Sequence, residues 1–112
     1  MKSFSKDRRI KMSDEEKVLD VIDRSAYALS QEDIHSGVSE VLFTTRQRLK
    51  NILEDLVRQG KIERKIYNIL FSRNPRIYSV ISEIYFTREN QRLNYERDIL
   101  PRLEREARHI LR

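Results

Sequence analysis

Between Thr45 and Gly60 the chain sets Leu49, Ile52, Leu53, Leu56 and Val57 at helical spacing, and no other feature constrains the fold as much. Apolar residues at i, i+3, i+4, i+7 and i+8 line one face of an α-helix, which must be buried against something. The spacing predicts a helix over about 45–59. Thr44 is placed to cap it, with Gln47 three residues on, and Gly60 falls where a helix-ending glycine belongs. Two more helices read the same way. Ser13-Asp14-Glu15-Glu16 is a capping box, and Val18, Leu19, Ile22 and Ala26 repeat behind it, predicting a helix over 14–26. Ser30-Gln31-Glu32-Asp33 opens another, with Ile34, Val38, Val41 and Leu42 on one face. Gly37 interrupts it, so this helix either ends at Gly37 or runs to about Val41; the periodicity favours the longer version.

The pattern then changes. Lys61–Tyr67 and Arg76–Ile81 are rich in β-formers, and Ser72-Arg73-Asn74-Pro75 between them is a turn signal. Asn68–Phe71 extends the first run towards that turn. A last helix starts near Thr87. Leu93, Leu100 and Ala107 recur every seven residues, and Leu103 and Ile110 supply a second seam position, broken once by Glu96. Pro101 is expected to kink or restart this helix, because it lacks an N–H and its ring clashes with the preceding turn.

With 112 residues the chain is one domain. Hydrophobic residues are 38% and charged residues 37%, against about 45–50% and about 25% in typical domains, so the core is small. A small core favours burial against a second copy. Cysteine is absent, which excludes disulfides, thiolate metal sites and a cysteine nucleophile. No apolar run approaches the roughly 20 residues that span a bilayer, and the N-terminus has no signal-peptide pattern; a cytoplasmic protein without membrane contact is the expectation.

Charge is unevenly spread. The net charge is +5 overall: +4 over residues 1–12, −6 over 13–43, +6 over 44–82 and +1 over 83–112. Residues 1–11 read as a basic, mobile tail. The acids Asp14, Glu15, Glu16, Glu32 and Asp33 are accounted for by the positive ends of two helices. Arginine outnumbers lysine 16 to 7, which suits phosphate forks and guanine edges.

Three helices followed by a two-stranded hairpin is the order of a winged helix-turn-helix domain. The segment from Thr44 to Arg64, with Leu49, Leu53 and Leu56 followed by Gly60-Lys61-Ile62 and a basic strand, resembles that family in wording. Ile77-Tyr78 in the return strand resembles the far side of a wing. The resemblance covers about residues 13–82; the last helix resembles, by analogy, the dimerising helix of small members. It implies an α+β, mostly α fold, with a tail over 1–11, a winged-helix domain over 12–82 and a C-terminal dimerisation helix over 83–112. Family members usually carry a glycine about two residues before the recognition helix, whereas Gly37 lies well upstream.

The resemblance further implies a double-stranded DNA partner. The polar side of the third helix carries Thr44, Thr45, Arg46, Gln47, Arg48, Lys50 and Asn51, residue types that read base edges or hold phosphate. The wing offers Arg64, Lys65, Arg73, Asn74 and Arg76 for phosphate or minor-groove contact. The plain alternative is a solvated helix face and a soluble loop tip. Leu93, Leu100, Leu103, Ala107, Ile110 and Leu111 are expected to pair with a second copy, unless the helix folds back on the first helix. His35 and His109 stand in distant elements, and no catalytic, phosphate-loop or metal-ligand motif occurs, so neither an enzyme nor a cofactor or metal is expected. The reading is a homodimeric DNA-binding transcription regulator, more in keeping with a repressor than an activator. The rivals are a winged helix used for protein contact and a non-specific architectural nucleic-acid binder.

Overall fold

A computed structural model describes residues 12–39, 42, 44–73 and 76–110, with no side-chain detail at 71–73 and 110. The basic tail over 1–11, Asn74 and Leu111 lie outside the described residues. The chain is α+β and mostly helical, in an order compatible with a winged-helix layout. Helix α1 spans Asp14–Arg24, α2 Gln31–Val38 and α3 Arg46–Arg58; strands β1 (Glu63–Arg73) and β2 (Arg76–Phe86) follow. The C-terminal helix comprises α4 (Glu89–Asn94), a π-helical turn (Tyr95–Ile99) and α5 (Leu100–Ile110). No helix among the described residues is long and apolar enough to cross a membrane.

The helix starts follow local chemistry. The Ser13 hydroxyl accepts from the Glu16 N–H at 3.2 Å, and the Ser13 N–H donates to Glu16 Oε1 at 2.8 Å. Ser30 accepts from the Asp33 N–H at 3.2 Å. At α3 the cap is Thr45 rather than Thr44: its hydroxyl accepts from the Arg48 N–H at 3.1 Å, while Thr44 Oγ1 donates to the Thr45 carbonyl. Gly60, at φ 75°, takes the left-handed conformation that ends α3. α1 stops at Arg24, two residues short of the sequence expectation; Ala26 is exposed, and Ala28 is buried in its place. α2 passes through Gly37 and its described span ends at Val38; Val41 lies outside the described residues. A Cβ at Gly37 would stand 2.8 Å from Val21 Cγ1, so glycine here permits the close approach of α1 and α2.

The apolar stripes of the three helices meet in one core. Val18 and Ile22, Ile34 and Val38, and Leu49, Ile52, Leu53 and Leu56 pack together, with Leu42, Ile62 and Tyr85 completing the cluster. The hairpin is longer than the pattern predicts. Its antiparallel register runs from Glu63↔Phe86 to Arg73↔Arg76, so each strand is about 36 Å long. β2 therefore passes straight through the expected domain boundary at 82/83. Alternation along it sends Tyr85 into the helical core, and Ile84 and Phe86 beneath the C-terminal helix. Leu29, between α1 and α2, pairs with Tyr85 as an isolated antiparallel bridge and fixes the hairpin base to the bundle.

The C-terminal helix neither ends nor restarts at Pro101. The π-helical turn just before it takes a wider bond, Leu100 N–H to the Tyr95 carbonyl, and a widened turn gives the proline ring room. Gln91, fully buried, docks the start of this helix. Its Oε1 accepts from the Thr87 and Arg88 N–H groups at 2.8 and 3.0 Å, and its Nε2 donates to the Ile22 and Ser25 carbonyls, both at 2.8 Å. Thr87 itself lies outside the helix, whose N-cap residue is Arg88.

Candidate nucleic-acid interface

α3 buries Leu49, Ile52, Leu53 and Leu56, half-buries Val57, and leaves its other face uncovered. Arg46, Gln47, Arg48, Lys50, Asn51 and Glu54 are all exposed. The entry to this helix is held from α2: Gln31 Nε2 donates to the Arg46 carbonyl at 3.1 Å, and His35 Nε2 lies 3.1 Å from the Thr44 carbonyl. The two arginines are already engaged. Arg46 forks onto Glu32, with Nε to Oε1 at 2.7 Å and Nη2 to Oε2 at 3.0 Å. That hydrogen bonding lowers the Glu32 pKa and raises that of Arg46. Arg48 pairs with Asp14 at the start of α1. Gln47 Nε2 donates to Asn51 Oδ1 at 3.1 Å, one turn on. Lys50 forms no ion pair among the described residues. Asp14 and Glu32 therefore do more than sit at positive helix ends, which is how the sequence accounted for them. They set the side-chain directions of the α3 arginines. Neither pairing has a local signal, because the partners lie 34 and 14 positions apart.

The expected wing residues do not gather. Arg64 and Lys65 are neighbours on a strand and so face opposite sides of the hairpin. Arg64 reaches Glu83 at 3.5 Å. Lys65 lies over the Tyr67 ring, 5.3 Å from its centroid, and 3.4 Å from Glu96. Both stand near the hairpin base. Arg76 is exposed at the far end, opposite Arg73 in the register, about 33 Å along the strand from Glu63.

The seam of the C-terminal helix finds cover within its own chain, and on the hairpin rather than on α1. Leu100 and Leu103 pack beside Ile84 and Phe86, and Ala107 is buried against Ile69. Leu93 remains exposed. The Ile110 side chain and Leu111 lie outside the described detail. Glu96, which breaks the seam, anchors a polar cluster. Tyr67 donates its hydroxyl to Glu96 Oε2 at 2.5 Å, and Arg92 donates to the same oxygen at 2.7 Å. Those partners, Tyr67 first, hold the Glu96 carboxyl low; burial first, then Glu96, pushes the Tyr67 hydroxyl up. Tyr67 also stacks on Tyr95 at 5.7 Å between centroids.

Among the described residues no three His, Asp or Glu side chains gather in a metal-binding arrangement. Comparison with protein-family models, with curated proteins and with solved structures gives no match.

Proposed function

We propose that this chain is a sequence-specific double-stranded DNA-binding protein of winged-helix type. In this reading α3 is the recognition helix and the protein is a homodimeric transcription regulator acting by occupying its site. One observation carries the reading: α3 has an uncovered face on which Gln47, Lys50 and Asn51 sit beside Arg46 and Arg48, and the Thr45 cap and the contacts from α2 fix the start of that helix. Arginine forks to guanine and asparagine or glutamine to adenine, so this set is chemically suited to base edges in a major groove. The described part of the hairpin contributes one exposed cation at its far end, Arg76, so phosphate contact there is secondary.

The test is a fluorescence-anisotropy titration with random-sequence duplex at two salt concentrations, on the wild type and on Arg46→Ala/Lys50→Ala. The expected result is binding that weakens steeply with salt, and a shallower slope with weaker binding in the variant. Undiminished binding by the variant takes DNA off α3. No binding at low salt favours the second reading, a winged helix that contacts protein, which the exposed Ile66, Leu70, Ile77 and Ile81 of the hairpin support.

A further inference from the structure

The two faces of the hairpin differ in cover. One carries Tyr67, Ile69, Val80 and Ile84 and lies under the C-terminal helix. The other is occupied only at its base, where Tyr85 enters the bundle. Beyond that base it presents Ile66, Leu70, Ile77 and Ile81, exposed by 54, 64, 75 and 68%. These are four of the six large apolar side chains most exposed among the described residues. At about 175 Å² for a fully exposed leucine or isoleucine, they offer about 450 Å² of apolar surface, the size of the largest patch on a typical monomer, which is often functional.

The register gives this patch a pattern. Ile66 stands opposite Glu83, Asn68 opposite Ile81, Leu70 opposite Ser79, and position 72 opposite Ile77. Every rung has one apolar residue and one polar residue, and the apolar one changes strand at each step. The result is a zigzag of four knobs with polar gaps between them, about 20 Å long. Such a surface fits itself. Place a second hairpin face to face with its strands reversed, about a two-fold axis between the second and third rungs. Ile66 then meets the partner's rung at position 72, Leu70 meets Asn68, Ile81 meets Ser79 and Ile77 meets Glu83. Each knob enters a gap, as an isologous interface requires. The bundle at the base of each open face forbids the parallel stack, in which two bundles would collide; the reversed stack puts each bundle at the tip end of the other hairpin.

We propose that a second copy of this chain covers the open face of the hairpin, so that the protein is a dimer through stacked β1–β2 hairpins and not through the C-terminal helical seam. With the polar gaps included, the area buried over both copies reaches about 1,200 Å², the lower end of stable interfaces. The proposal depends only on the hairpin and stands whether or not α3 binds DNA.

The test is mass by light scattering coupled to size exclusion, and by sedimentation, from about 1 to about 100 μM. The wild type is expected at twice the 13.6 kDa chain mass. Leu70→Glu/Ile81→Glu is expected at the chain mass with an unchanged far-UV circular dichroism spectrum, since both side chains are largely exposed and outside the core. Leu93→Glu is expected to remain dimeric. A wild type at the chain mass throughout overturns the proposal and leaves the face to an apolar peptide or another protein; that measurement needs no variant to fold. A dimer that survives Leu70→Glu/Ile81→Glu but is broken by Leu93→Glu overturns it in favour of the helical seam.

Discussion

Gln91→Ala tests how the last helix is held. The side chain is fully buried and uses both ends of its amide. Its loss deprives the Thr87 and Arg88 N–H groups of their acceptor, and the Ile22 and Ser25 carbonyls of a donor. The carbonyls fare better. Ile22 keeps the Ser25 N–H at 3.3 Å, and Ser25 keeps an Arg88 guanidinium N–H at 3.4 Å. The two N–H groups therefore carry most of the cost. An unsatisfied buried donor costs about 1–3 kcal/mol; these are partly buried, so water recovers some of it, and the vacated volume adds a cavity penalty. The expected loss is about 2–4 kcal/mol, a large share of the 5–15 kcal/mol typical of a domain. Urea unfolding followed by circular dichroism reads it as a lower midpoint at constant slope. Gln91→Glu adds a signature in pH. A carboxylate there faces two carbonyl oxygens and is disfavoured, whereas the protonated acid donates to one of them. Its pKa in the folded state is thus raised above the unfolded value of about 4.3, so the variant's stability falls as pH rises through the folded pKa. A loss below about 0.5 kcal/mol for Gln91→Ala, with the slope unchanged, refutes the reasoning: the joint would then not depend on this amide.

Two further expectations follow from the ion pairs. Glu32→Gln frees Arg46 and removes an acid beside the proposed DNA surface, so duplex affinity at low salt should rise about two- to five-fold, as an exposed pair warrants; an unchanged or lower affinity in the anisotropy titration separates Arg46 from DNA. Arg97, then the Tyr27 hydroxyl, holds the Asp98 carboxyl down to about 2. Its folded pKa lies below the unfolded value of about 3.9, so its stabilisation is present above about pH 4 and lost as pH falls towards about 2. Asp98→Asn should flatten the unfolding midpoint across that window, and an unaltered acid slope counts against the contact.

Elements fixed by neighbours in sequence were legible without the structure. The Ser13 box, the Ser30 cap and the glycine after α3 are interactions within about one turn, the α3 stripe is a repeat along one helix, and each forms as the spacing predicts. Strand length was not legible. Ser82 to Phe86 join β2 because Tyr85 has the helical core to enter and Ile84 and Phe86 have the C-terminal helix above them, a condition set by residues far along the chain. The same reason hid the fate of the heptad seam. Leu100, Leu103 and Ala107 look surplus to a small domain until the hairpin is long enough to take them. Of the wing residues, strand alternation alone, readable at period two, would have set Arg64 and Lys65 on opposite faces. Gln91 had a faint signal, a glutamine three residues after the helix cap, but its partners on α1 had none.

The acidic and basic thirds of the chain prove to share one surface, and this bears on what kind of DNA binder is proposed. A phosphate approaching Arg46 must replace a carboxylate that already offers both oxygens, and one approaching Arg48 must replace Asp14. The gain from either exchange is the difference between two anions, not the full attraction of a bare cation. Gln47 and Asn51 likewise give up a bond to each other before bonding a base edge. Among the described residues, Lys50 is the α3 cation that meets a phosphate at no such cost. A random duplex, which offers charge alone, still binds at low salt, but more weakly than a site whose base edges repay the broken pairs. The internal pairing of α3 therefore subtracts from charge contacts and base contacts alike, and preference for one sequence comes from the base edges that repay it.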